Sequence, residues 1–321
     1  MQLNRRCQND AGMRFEQPTV ELLLEAAHMS TVAGVGMRPA EIETEIASGR
    51  LQPKWSQVAI DEDESLVGRA LWWGRDAQVP LALDVWDARR DHPDTERILI
   101  ELLAHGHAAL GSDGVDIPLP HTMRIPTTWR DIEAVHFDVA VKTNAAAAAG
   151  LVRVNERRQF QWDQRARATR GAHRLRFETA DDDAFLDLFA RATRGSLDVM
   201  TRRELATATA ETVAVDEVAY YRSCPGDRGW WRVAYDSRGN VVGMAIPSAT
   251  PTSRNIGYLA VLPEHRGHGY VDDLLAYITD FHMGDGASRI TATTDAVNTP
   301  MIEAFKRAGY QCVETRIDLE R

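Results

Sequence analysis

The sequence predicts an α/β (α+β) chain folded as two domains in tandem. Three observations predict it. An apolar run from Ile256 to Leu262 stops at Pro263, passes through an Arg-Gly-His-Gly turn (Arg266 to Gly269), and opens into a helical pattern at Tyr270, Val271, Leu274, Leu275 and Ile278. Just upstream, two strand-like runs flank Ser237-Arg238-Gly239-Asn240, a hairpin signature. The first half repeats hairpin, strand and helix in the same order, offset by roughly 160–175 residues, which suggests an internal duplication. A length of 321 residues also suits two domains better than one.

The second half justifies its elements in order. A first strand is expected over 174–179. Asp181, Asp182 and Asp183 then precede Phe185, Leu186, Leu188, Phe189 and Ala192, as acidic residues precede an apolar helical face at a helix start. A second helical pattern spans 202–223 and carries Glu204, Glu211, Asp216 and Glu217. The hairpin covers 231–235 and 241–246. Strand 256–262, helix 270–283, strand 289–294, helix 299–308 and a final strand over 311–318 complete the unit.

In the first half, 21–29 reads as an amphipathic helix. Runs 55–60 and 66–73, joined by a turn at 61–65, echo the hairpin, and Leu66-Val67-Gly68 mirrors Val241-Val242-Gly243. A strand at 79–85 and a helix at 95–110 follow, and the alanine run 145–149 ends in Gly150-Leu151 as Ala308 ends in Gly309-Tyr310. Residues 1–12 read as a flexible tail, 13–163 as the first domain, 164–173 as the core of a polar, Arg-rich linker, and 174–321 as the second domain.

Composition narrows the function classes. The chain is 44% hydrophobic and 26% charged, ordinary for a globular protein, and its formal net charge is −10. That balance disfavours nucleic acid and anionic membrane surfaces as partners, and it favours cationic ones such as amines. Three cysteines, odd in number and widely spaced, make neither a disulfide framework nor a zinc pattern, so a reducing, cytoplasmic setting is expected. No apolar run approaches membrane-spanning length. No metal is expected: His105 and His107, two apart on a helix, face apart.

The turn at 266–269 carries the chemistry. Its two glycines let the backbone bend tightly and bring N–H groups close to a ligand. The unpaired N–H groups and dipole of the following helix favour a phosphate there. From Trp230 to Arg321 the chain resembles the GNAT superfamily of N-acetyltransferases. The family pattern Arg/Gln-x-x-Gly-x-Gly/Ala falls on Arg266, Gly269 and Val271, with valine departing at the last position. A second block, Asn298 to Tyr310, follows about thirty residues later and matches the family's Asn and helix ending in Tyr-x-x-x-Gly-Phe.

The resemblance implies two tandem GNAT-like domains, each a mixed, mostly antiparallel sheet flanked by helices. It implies an N-acetyltransferase that moves an acetyl group directly from acetyl-CoA to a primary amine of a small molecule. A carrier-protein-bound acyl donor and a non-catalytic acetyl-CoA-binding role are the alternatives. Arg266, Gly267, His268, Gly269, Tyr270 and Val271 would hold the pyrophosphate, while Asn298, Met301 and Phe305 would support the pantetheine arm. A backbone N–H at Ala260, Val261 or Leu262 would meet the oxyanion, a donor worth about 3 kcal/mol of barrier. Phe305 stands where the family commonly has a tyrosine acid, and it cannot donate a proton.

The base is open between Tyr258, which also fits a packed aromatic, and Asp295, which also fits a turn aspartate. Asp216 and Glu217 could attract a cation or simply cover an exposed helix face. The first half's matching corner, Trp86 to Asp94, has no glycine and three aspartates, so it is expected to hold no cofactor.

Overall fold

The computed structural model describes residues 7–8, 12–29, 31–32, 34–164, 174–250 and 253–321. Most of the expected tail and linker (1–6, 9–11 and 165–173) lies outside them. The chain divides into two compact units. One holds Met1–Asn155 with Arg316–Arg321, the other Glu156–Thr315. Each unit thus takes a strand end from the opposite half of the sequence, a division that cuts across the boundaries suggested above.

In the first unit, strands β1 (Cys7–Gln8), β2 (Arg14–Glu16), β3 (Gln57–Ile60), β4 (Leu66–Trp73), β5 (Ala82–Ala88) and β6 (His121–Ile125) follow one another across the sheet. All pairs are antiparallel except β5 with β6. The chain's last residues belong here too, and Thr122 donates to the Asp318 carboxylate at 2.7 Å. Helices α1 (Val20–Ala27) and α2 (Pro39–Ala47) cover one face, where Leu23 and Ile42 pack on Leu71 and Val85. Helices α3 (Thr95–Ser112) and α4 (Glu133–Ala148) cover the other, over Trp72, Trp86 and Leu83. The alanine run 145–149 is the tail of a four-turn helix; α2 and β6 carry too weak a pattern to be read in advance.

In the second unit, β7 (Arg153–Asp163, from residue 156), β12 (Arg289–Asp295), β11 (Arg254–Val261), β10 (Val241–Ala249), β9 (Arg232–Tyr235) and β8 (Arg176–Glu178) lie in that order. Residues 161–163, read above as the end of the first domain, end β7 in the second unit. Phe160 and Trp162 alternate inward, and β7 pairs with β12 from Asp163↔Arg289 to Arg157↔Asp295. Helices α5 (Asp182–Ala192), α6 (Val199–Glu204) and α7 (Ala210–Ser223) lie between β8 and β9 in sequence; α8 (Tyr270–Gly284) and α9 (Thr299–Arg307) flank β12 in sequence. Strand β13 (Gln311–Glu320) follows and crosses the division between the units.

The expected single helix over 202–223 is broken. Asp198 caps α6 by accepting from the Thr201 N–H (2.8 Å), and Thr209 caps α7 by accepting from the Thr212 N–H (3.2 Å). Between them Thr207 bonds back to the Glu204 carbonyl, one of the local bonds by which threonine competes with helix. Asp181 caps α5 as its position suggested, with its side chain accepting from the Ala184 N–H.

Both sheet faces are apolar. Leu274, Leu275, Ile278, Ala304 and Phe305 pack on one, and Phe185, Phe189, Ala214 and Val218 on the other. Among the described residues no helix is long and apolar enough to cross a membrane.

Candidate active site

Strand β11 builds the site, and one extra residue in it decides the geometry. Ile246 faces Tyr258 while the next residue of β10, Pro247, faces Ile256, so Gly257 is left over as a bulge. Glycine is needed there: a Cβ at 257 would lie 2.6 Å from the Ser248 Cβ and 2.7 Å from the Ile246 carbonyl oxygen. The bulge flips the face of every later residue. Ile256 packs with α8 and α9, and so would Tyr258 without it; instead Tyr258 packs toward α5 and α7.

The bulge also coincides with the end of pairing to β12. These strands run parallel and pair only at Arg254↔Ile290 and Asn255↔Thr291. Beyond that, β11 stays with β10 and β12 stays with β7, so a gap opens between β11 and β12. Leu262 donates its N–H to the Val242 carbonyl at 2.9 Å. Antiparallel strands alternate their bonding, so Leu259 and Val261 turn their N–H groups to the opposite edge, into the gap. Ala260 and Leu262 bond toward β10, which leaves Val261 as the donor among the three residues expected to provide one.

At the end of β11 the chain makes a short turn over 263–265 and reaches Gly267 (φ 82°) and Gly269 (φ 72°), both left-handed. That conformation curls the backbone into a concave nest. The N–H groups of Gly267, His268, Gly269, Tyr270 and Val271 have no backbone acceptor among the described residues. Five N–H groups without a backbone acceptor at the start of a 15-residue helix suit an anion. Valine at 271 keeps its N–H, so its departure from the family pattern removes nothing from the nest.

The Arg266 side chain does not join it. The guanidinium donates to the carbonyls of Val261 (3.2 Å), Ala192 (3.1 Å), Arg194 (2.9 Å) and Gly195 (3.0 Å). It caps the end of α5 and ties that helix to the end of β11. Glu264 is a turn residue that pairs with Arg191 at 2.7 Å.

The α6–α7 side is acidic. Glu217, Tyr220 and Tyr221 share one face of α7. Burial first, then the neighbouring Glu204, Asp198 and Asp216 charges, push the Glu217 carboxyl up to about 7. The ring of Tyr258 lies 4.9 Å from that of Phe189 and 5.7 Å from that of Tyr221. Burial, then Glu217, raises both phenols above the ordinary value. The protonated form of Tyr258 is thus favoured at neutral pH, which suits it to donate a proton. The same burial and charges thus bring the Glu217 carboxyl near neutrality. The Glu217–Tyr221 spacing was visible in sequence; its burial was not.

Asp295 is buried and occupied. One carboxylate oxygen accepts from the Val199 N–H at 2.6 Å, and the other lies 3.5 Å from Arg157 Nε. It fastens the start of α6, as a turn aspartate can, and both of its oxygens have partners. Asn298 caps α9 by accepting from the Met301 N–H at 3.3 Å. Met301 packs against the same core, and Phe305 lies inside it, stacked on Phe160 with ring centroids 4.9 Å apart. Among the described residues no group of three His, Cys, Asp or Glu could hold a metal.

Residues 199–310 match the family model described as the acetyltransferase (GNAT) family. Among solved structures the chain is similar to a GCN5-related N-acetyltransferase from Sphaerobacter thermophilus (TM-score 0.54, 14% identity, 97% of this chain and 96% of that chain). It is also similar to a tandem GNAT protein from the clavulanic acid biosynthesis pathway (TM-score 0.45, 16% identity, 93% and 92%). A third is an acetyltransferase of the GNAT family from Colwellia psychrerythraea (TM-score 0.45, 11% identity, 88% and 94%). At these identities the first likeness speaks for the fold alone. No curated protein matches the chain.

Proposed function

We propose, from the premise that residues 199–310 are a GNAT acetyltransferase domain, that this protein transfers an acetyl group from acetyl-CoA to the primary amine of a small cationic molecule. The observation that carries the reading is the joining of the nest at 267–271 to the gap at Val261, at the two ends of one short turn. Five backbone donors suit a diphosphate, and a gap between parting strands suits an extended arm that pairs with strand edges.

When bound, the thioester supplies the activated acyl group; the chain supplies position, charge and a proton acceptor. The Val261 N–H is aimed into the gap as a donor for a carbonyl oxygen, which is where such a donor lowers the barrier most. Glu217 collects the proton of the incoming ammonium, directly or through water, because a carboxyl near 7 is poised for both uptake and release. Asp198, Glu204 and Asp216 add negative potential that draws a cation to this side. Asp295 fastens α6 to the end of β12, and Arg266 fastens α5 to the end of β11, so this wall is held on the strands beside the gap.

Thiol release from acetyl-CoA, followed against a panel of polyamines, aminoglycosides, amino acids and peptide N-termini, tests the reading. Turnover with at least one amine, lost in Glu217→Gln, is expected. Tight acetyl-CoA binding with no turnover on any amine would replace the enzyme with a binding protein.

A further inference from the structure

Arg174, which lies before β8 and far from the family motif in sequence, reaches the outer side of the nest. Its Nη1 donates to the His268 carbonyl at 2.9 Å and its Nη2 to the Gly269 carbonyl at 2.8 Å. Its Nε and backbone N–H both donate to the Asp273 carboxylate, at 3.0 and 3.1 Å. Its guanidinium also lies over the Tyr270 ring, 5.1 Å from the centroid. Asp273 is only 3% exposed, so the clamp has a fixed anchor.

We infer that Arg174 is a positioning residue that sets the nest for its anion; the inference rests on the reading of 267–271 as the acetyl-CoA diphosphate site. Two physical arguments support it. In a trans peptide the C=O and the next N–H point opposite ways. Holding the His268 and Gly269 carbonyls outward therefore turns the Gly269 and Tyr270 N–H groups inward, to the side where the anion sits. The Gly269 carbonyl also accepts from the Asp272 N–H at 3.2 Å, so the peptide that depends most on Arg174 is His268–Gly269, whose glycine leaves it the freest to rotate. The second argument is charge. The first turn of α8 carries Asp272 and Asp273, two carboxylates beside a site for a polyanion. Arg307 pairs with Asp272 at 2.7 Å, and Arg174 neutralises Asp273. Without Arg174 the nest would lose its orientation and face an unpaired buried carboxylate.

The test compares acetyl-CoA affinity by calorimetry, KM, kcat and thermal midpoint in the full-length protein for Arg174→Gln, Arg174→Lys, Arg174→Gln/Asp273→Asn and Gly269→Glu. Arg174→Gln should raise Kd and KM for acetyl-CoA about tenfold or more, with a much smaller change in kcat, since charged hydrogen bonds of this kind are worth roughly that much. Arg174→Lys keeps the charge but cannot span both carbonyls and the carboxylate, and should fall between. The double variant leaves no buried charge, so it should bind more tightly than Arg174→Gln and keeps the test readable if the single variant folds poorly. A lowered midpoint with unchanged Kd in Arg174→Gln, while Gly269→Glu abolishes binding, would overturn the inference and leave the nest reading standing. Unchanged Kd in Gly269→Glu would overturn the nest reading itself.

Discussion

Lys142 Nζ lies 2.8 Å from Asp87 Oδ1, and both are buried at the place in the first unit where the second unit has its open gap. The correspondence is close. In the first unit Asp84 is the bulge residue of β5, and β5 pairs with β6 only at Leu83↔His121. Past that point Asp87 is gripped from both faces of the sheet: by Lys142 on α4, and by Arg69 on β4, whose Nε and Nη2 donate at 3.0 and 2.8 Å. Arg69 Nη1 also donates to the Ala27 carbonyl at the end of α1, as Arg266 caps α5. Desolvation opposes ionisation of Asp87, but the two cations outweigh it and hold the carboxyl well below its usual range. Lys142 is held up at about 12 by Asp87 and Asp138 against the cost of its burial. Asp87, one of the three aspartates of the corner expected to hold no cofactor, is the centre of an ion network that fills the gap.

One acetyl-CoA per chain is therefore expected. The first unit offers neither an open gap nor glycines at its corner. Calorimetry should give a stoichiometry near one in the wild type and no binding in Gly269→Glu. A value near two, or one that survives Gly269→Glu, would move the site.

Lys142→Met should destabilise the protein without touching acetyl-CoA affinity. It strips a partner from Asp87 and leaves Asp138 buried without its cation, a loss of about 3–5 kcal/mol for a broken buried pair. Urea denaturation reads the loss. A change below about 1 kcal/mol, the worth of an exposed pair, would mean that water reaches the network.

The proposed role of Glu217 predicts a pH dependence of the activity. A base must be unprotonated, so kcat/KM should rise with pH up to about 7 and then follow only the ionisation of the amine. In Glu217→Gln the limb near 7 should vanish and the rate should drop by about 10²–10⁴. The stability effect has the opposite sign. Folding raises this pKa from 4.5 to about 7, so the folded state binds more protons across that window. The contribution of Glu217 to stability thus falls as pH rises through it. A pH profile unaltered in Glu217→Gln would assign the base elsewhere.

Asp295→Asn separates a tether from a base. The amide keeps an oxygen to accept from Val199 N–H, so activity should stay within about tenfold of wild type, whereas Asp295→Ala should cost about 1–3 kcal/mol of stability by stranding that donor. A fall of about 10²–10⁴ in kcat for Asp295→Asn, with stability unchanged, would make the carboxylate catalytic.

Much of this protein is determined by its sequence alone, because the signals involved act over a few residues. The glycines at 267 and 269 set the backbone of the nest. Asp181 and Asn298 cap the helices they precede, and Ser237 to Asn240 turn the hairpin between β9 and β10. The apolar periodicity of 270–283 defines α8 before any partner is known. The tertiary structure alone decided what depends on distant partners. Strand β7 is recognisable only once β12 lies beside it. The role of Asp295 depends on Val199, 96 residues away, and that of Asp87 on Lys142, 55 residues away. Burial of Glu217 comes from the packing of α7, not from its neighbours in sequence. A local backbone preference is written in the residues that adopt it. The charge state of a carboxylate is set by whichever groups and how much water surround it, and only the folded chain brings those together.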